Sequence, residues 1–277
     1  MGLAVAGYGG GSAIFGPLGG NWLIPTYGWR TTFMTFGVIF FVMGIIGAFL
    51  LKNPPAGYRP AGWTPAPAAK AAGTTYEFRP GEVLKTPAFY FMWIAYALGT
   101  SAGLMVISQL VPFARSKGVP LALATTAIFI GAAGNASGRI FSGWMSDALG
   151  RLNVLRLMIA ISAVAMVILP RTGGIAAVPV FLYVVVFVVY WCYGTQLSVN
   201  ASTTSDFWGT KNAGVNYGLL FTAWGVAGII GPRIGGKFFD KYKNYEYAFY
   251  TAAVLAVVAL LCEMIAKRPR APEARAA

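Results

Sequence analysis

The feature that most constrains this chain is a succession of apolar runs, each about as long as a bilayer is thick. Eight such runs lie at roughly 3–24, 32–51, 88–112, 121–146, 153–170, 177–200, 214–236 and 247–266. A spanning helix needs about 20 mainly apolar residues. Strands of that length are rare, and a transmembrane barrel is built from shorter, alternating segments. The runs therefore predict an all-α integral membrane protein.

Charge supports this reading. Of 277 residues, 10% are charged and 57% hydrophobic, whereas a soluble domain carries about 25% charge. The net charge of +13 does not point to nucleic acid, because the basic residues sit between the apolar runs, as topology signals do. Cys192 and Cys262 lie in apolar runs and histidine is absent. The eight acids, Glu77, Glu82, Asp147, Asp206, Asp240, Glu246, Glu263 and Glu273, fall in loops, tails or helix ends. No disulfide framework, metal site, cofactor site or Ser-His triad is expected, and hence no enzyme.

Four regions are expected. Residues 1–51 hold two helices, 52–87 a Pro/Ala/Gly-rich basic linker, 88–266 six helices, and 267–277 a tail. With the linker in the cytoplasm, twelve Lys/Arg fall on that side and eight on the other, Arg139 excepted. This bias puts linker and tail in the cytoplasm of a cell with this chain in its inner (plasma) membrane.

The sequence also repeats. Gly16-Pro17-Leu18-Gly19-Gly20 and Gly231-Pro232-Arg233-Ile234-Gly235-Gly236 are each followed, 13 residues after the last glycine, by Phe33 and Phe249, an offset of 216 in both cases. The first two runs thus look like counterparts of the last two. If each repeat holds six helices, four more are expected before Met1, and the chain carries eight of twelve.

The fourth run ends Gly143-Trp144-Met145-Ser146-Asp147-Ala148-Leu149-Gly150-Arg151. This is similar to the G-x-x-x-D-x-x-G-R loop of the major facilitator superfamily, whose glycines allow close helix contact and whose aspartate suits a helix N-terminus. Asn135-Ala136-Ser137-Gly138-Arg139, the Gly28-Trp29-Arg30 turn and the stretch Asn216 to Gly225 together resemble the oxalate/formate antiporter family over nearly the whole chain. The resemblance implies the superfamily fold, with these runs as helices five to twelve, parallel six-helix halves, a cytoplasmic motif loop, and alternating access to a small organic anion. A monomer is expected for the full-length protein, with the lipid bilayer and the anion as partners and no nucleic acid.

Arg139 is the only formal charge between Lys117 and Asp147. A charge inside a membrane helix costs at least a few kcal/mol unless it faces a partner or a cavity. Asn135, Gly138, Arg139 and Ser142 share one helix face, small and polar like a cavity wall. The alternative is snorkelling to the headgroups. The resemblance implies that Arg139 binds a substrate carboxylate, to which a guanidinium fork is suited. It places Trp191 in the cavity, and it puts Trp224 where the family's oxalate carriers have a lysine. One cation favours a monocarboxylate, or an amphipathic anion packed on Trp224, over oxalate. Phe221, Tyr8 and Gln196 are further wall candidates. Gly9, Gly10, Gly11, Gly225 and Gly228 are expected at close helix contacts. With no acid at the membrane centre, exchange or facilitated diffusion is favoured over proton symport. A proton-coupled multidrug or metabolite exporter of the same superfamily is the alternative, since the Gly-Pro element of the first run is similar to that of antiporter helix five.

Overall fold

The computed structural model describes residues 11, 14–52, 55, 58, 76–172 and 179–271. Among them seven helices are long and apolar enough to cross a bilayer. The first, Ile14–Leu50, has 37 residues, about 55 Å of helix, far more than one span needs. It is two spans. Helix α1 (Ile24–Leu50) is broken at Gly28, where φ 76° and ψ 162° interrupt the helical backbone. Glycine takes that conformation without steric cost, so the expected Gly28 turn is where the chain reverses. The Thr32 hydroxyl donates to the Gly28 carbonyl at 2.9 Å. Phe15 then meets Phe36 and Phe40 edge-on, with ring centroids 5.4 and 4.7 Å apart. Gly19 lies under Phe36, where a Cβ would come within 3.1 Å of the ring. Residues 15–50 form a helical hairpin within a unit covering Phe15–Ala72.

The second unit holds six long helices: α2 (Pro87–Ser116), α3 (Leu121–Leu149), α4 (Arg151–Ile168), α5 (Val180–Trp208), α6 (Ala213–Tyr242) and α7 (Glu246–Ile265). Four of them run 29 or 30 residues and overshoot the apolar runs at their ends. At about 45 Å they exceed the hydrocarbon thickness, so their polar last turns reach the headgroups. Two helix pairs are packed most closely, α3 with α5 and α2 with α6, followed by α2 with α7, α4 with α7 and α4 with α5. Exchanging α2 for α5, α3 for α6 and α4 for α7 maps these contacts onto one another. That is the three-plus-three repeat of a carrier half.

Glycines set the close seams. A Cβ on Gly134 would lie 2.5 Å from the Phe187 carbonyl oxygen, and one on Gly231 would meet the Ser101 carbonyl. Each helix backbone therefore rests directly on its neighbour's, as small-residue membrane interfaces do. Of the glycines expected at close contacts, Gly9 and Gly10 lie outside the described residues. Gly11, Gly225 and Gly228 have nothing within 4 Å of a built Cβ. Gly225 and Gly228 are on the exposed side of α6, so the seam glycines are Gly231 and Gly235, one and two turns further on.

The linker also ends earlier than its composition suggests. Tyr76–Thr86 packs on the six-helix unit. Phe78 is buried with Trp208, Leu220 and Ala266. Its N–H donates to the Trp208 carbonyl at 2.9 Å, and its carbonyl accepts from Asn212 and Asn216 at 3.0 and 3.2 Å. The Glu77 carboxylate accepts the Lys211 N–H at 2.7 Å. A single helical turn, Pro80–Val83, follows, with Glu82 accepting the Arg79 N–H at 2.8 Å. That bond, followed by the one from the Tyr76 hydroxyl, holds the Glu82 carboxyl below its ordinary range. One buried aromatic in a basic, proline-rich stretch is the physical reason for the ordering.

Candidate functional site

The candidate site is assembled on α3. Gly131, Gly134 and Gly138 face α5, where built Cβ atoms would strike the Tyr190 ring and the Phe187 and Trp191 carbonyls. Gly194 of α5 returns the approach, lying against the Asn135 carbonyl and side chain. Ser142 and Thr195 share a hydrogen bond across the same seam. Much of the small, polar face of α3 is thus a helix–helix seam rather than an open wall, because glycine and serine are the residues that permit such contact.

Arg139 is the exception on that face. Its side chain is 0% exposed, so it does not snorkel to the headgroups. Nε donates to Asn135 Oδ1, one turn back, at 2.9 Å. The bond fixes the plane of the guanidinium, and the desolvation of a buried cation makes such partners necessary. Tyr96 on α2 and Tyr217 on α6 lie within electrostatic range of this cation. Their hydroxyls are 3.3 Å apart, and that of Tyr217 donates to the Leu197 carbonyl at 3.1 Å. The hydroxyl pair thus links α2 and α6 to α5.

An aromatic shelf continues along α6. Phe221 and Trp224 stack at 5.2 Å with 8° between their planes, and Phe221 also contacts Tyr96 and Tyr217. The Trp224 indole N–H donates to the Tyr193 hydroxyl at 2.8 Å. The Tyr193 ring lies over Gly103 of α2, and Gln196 lies over Gly99. These glycines make room for α5 side chains that would otherwise clash. Asn135, Arg139, Trp224, Phe221 and Gln196 are thereby tied into one neighbourhood through Tyr193, Tyr96 and Tyr217. Trp191 points elsewhere. Its ring stacks on Phe141 at 5.7 Å and packs near the Val154 and Met158 side chains. Tyr8 lies outside the described residues.

Tyr96, Tyr193 and Tyr217 are the residues that sequence reasoning missed. A signal was present: Tyr96, Gly99, Thr100 and Gly103 recur at helical spacing on α2, a small-polar face matching that of α3.

The motif loop is built around Arg151. It pairs with Asp147 at 2.5 Å and with Asp206 at 2.9 Å, and donates to the Ser146 hydroxyl at 2.6 Å. Gly150 sits at φ 89° between α3 and α4, a left-handed position that explains the second motif glycine. Gly143 has nothing within 4 Å of a built Cβ. Asp147 binds the motif's own arginine rather than a helix N-terminus, and Arg151 ties the loop to the end of α5. Among the described residues no group of three or more His, Cys, Asp or Glu is arranged to hold a metal.

The sequence model of the Major Facilitator Superfamily matches residues 1–232 and 173–277. The chain belongs to the Major Facilitator Superfamily. Within the superfamily it is similar to the oxalate:formate antiporter of Oxalobacter formigenes, at 28% identity over 258 residues, covering 93% of this chain and 59% of that protein. It is also similar to an uncharacterized MFS-type transporter of Escherichia coli (26% identity; 75% of this chain, 49% of the relative) and to monocarboxylate transporter 13 of Bos taurus (24%; 91% and 56%). The chain thus spans about half to three-fifths of the length of these facilitator relatives.

Proposed function

We propose that this facilitator chain supplies the carboxylate-recognising helices of a secondary carrier for small organic anions, monocarboxylates foremost. The observation that carries the reading is the fully buried Arg139, oriented by Asn135. A buried guanidinium can replace the hydration of one carboxylate with a planar, two-point contact. The tyrosine hydroxyls offer further hydrogen bonds, and the Phe221–Trp224 stack offers an apolar bed for the rest of the molecule. Since Trp224 supplies no charge, a second carboxylate would be left unpaired in a low-dielectric site. Similarity to an oxalate:formate antiporter and a monocarboxylate transporter agrees with an anionic substrate.

Transport follows by alternating access, with exchange or facilitated diffusion as the mode. Arg139 is fully buried, so substrate entry requires the side chains that cover it to part. The linker and C-terminal tail are assigned to the cytoplasmic side of the inner membrane. The test is counterflow into proteoliposomes holding the complete protein, with labelled formate, pyruvate and oxalate compared. Monocarboxylate exchange clearly above oxalate exchange is expected; oxalate as the preferred substrate would overturn the charge argument.

A further inference from the structure

A second binding surface lies at the opposite end of the polarity scale from Arg139 and does not depend on the reading above. Helix α7 ends at Ala266, where the backbone turns extended at φ −58° and ψ 123°. Ala266 is 1% exposed and packs with Phe78, Val83, Phe89 and Trp208. The chain after it is therefore pinned, and Lys267, Arg268 and Pro269 are laid beside the first turn of α2. Between these segments is an open groove of about 610 Å³. Pro87, Ala88, Phe91, Met264 and Ile265 form its apolar part, and Lys267 and Arg268 its polar part.

We propose that this groove holds one anionic phospholipid. Lys267 and Arg268 follow directly on the end of the α7 span at Ile265 and lie beside the start of the α2 span at Pro87, where a lipid phosphate is expected. Met264 and Ile265 are 57% and 53% exposed and run back along α7 into the hydrocarbon region, the path an acyl chain takes. A basic pocket between membrane helices attracts anionic headgroups. A free phosphate would satisfy the cations but leave the apolar wall bare. The surface combines both chemistries, and a phospholipid is the molecule that carries both.

The site also has a consequence for the fold. Ala266 and Phe78 share one cluster, so a lipid seated on Lys267 and Arg268 bears on the segment that clamps the end of the linker.

The test is native mass spectrometry of the complete protein with phosphatidylglycerol and phosphatidylcholine offered in equal amounts. With two basic groups at headgroup depth, phosphatidylglycerol is expected to be retained over phosphatidylcholine by roughly 10- to 30-fold. A Lys267→Gln/Arg268→Gln double variant is expected to lose most of that preference. Arg270→Gln, a change outside the groove lining, is expected to keep it, which separates a local site from general basicity. Size-exclusion profiles identify any variant that fails to fold, and added salt on the wild type then gives a second readout, weakening the preference. Equal retention of the two lipids overturns the proposal. So does a preference unchanged in the double variant, or displacement of the lipid by inorganic phosphate at equal concentration.

Discussion

Arg139 Nε donates to Asn135 Oδ1 at 2.9 Å along one turn of α3, and both side chains are buried. The amide thereby sets the plane of the guanidinium. Asn135→Ala removes this positioning bond. A hydrogen bond to a charged group is worth about 1.5–3 kcal/mol, so KM for the anion is expected to rise about tenfold or more, with kcat less affected. Asn135→Asp places an anion against the cation and is expected to depress exchange further than Asn135→Ala. Equal initial-rate kinetics for the two variants would argue against this pairing.

Trp224→Lys is expected to change which anion is carried. A second cation beside Arg139 compensates a second carboxylate, so dicarboxylate counterflow should rise relative to monocarboxylate counterflow. Trp224→Phe keeps the stack on Phe221 and loses the bond to Tyr193; it should retain monocarboxylate preference at a reduced rate. Competition assays with oxalate and formate distinguish the two outcomes.

The α3–α5 seam gives a stability prediction. A Cβ at Gly138 would strike the Trp191 carbonyl oxygen, a backbone atom that cannot swing aside. Gly138→Ala is expected to destabilise by about 1–3 kcal/mol, the usual cost of overpacking. Gly225→Ala, with nothing within 4 Å, should be neutral or slightly stabilising, since alanine favours helix. Thermal melting in detergent compares them.

Arg151 and Asp206 are roughly three-quarters buried, with side chains 24% and 26% exposed. Asp206→Asn removes the charge on the α5 end while leaving Asp147 in place. A partly exposed pair contributes up to about 1 kcal/mol, so the melting temperature should fall by only a few degrees. If the loop is part of the moving machinery, the exchange rate should fall further than stability does.

The spans were legible because length and hydropathy act locally: each helix must bury its own backbone polar groups in lipid. Arg139 was legible for the same reason, as a charge where the solvent disfavours one. The Gly28 reversal was visible as a turn between two runs. The tyrosines within electrostatic range of Arg139 were not, because Tyr96 and Tyr217 lie 43 and 78 residues away in sequence and come near it only once α2, α3 and α6 pack. The glycine seams misled in a related way. Gly225 and Gly228 look like packing residues, yet rotation of α6 turns Gly231 and Gly235 inward. Trp191 was placed with the cavity group by resemblance, whereas its helix position brings the ring onto Phe141. The docking of Phe78 was not legible, because it depends on Trp208, Leu220 and Ala266, far along the chain, as well as on its near neighbours Val83 and Phe89.

The account stands on the guanidinium of Arg139. Its most direct test is equilibrium binding of formate and pyruvate to the complete protein and to its Arg139→Gln variant, alongside counterflow in proteoliposomes. Gln preserves a hydrogen-bonding side chain of similar reach and removes the charge. The account predicts at least a tenfold weaker affinity for the anions, counterflow near background, and an unchanged melting profile. Wild-type affinity and flux in a folded Arg139→Gln protein would contradict it.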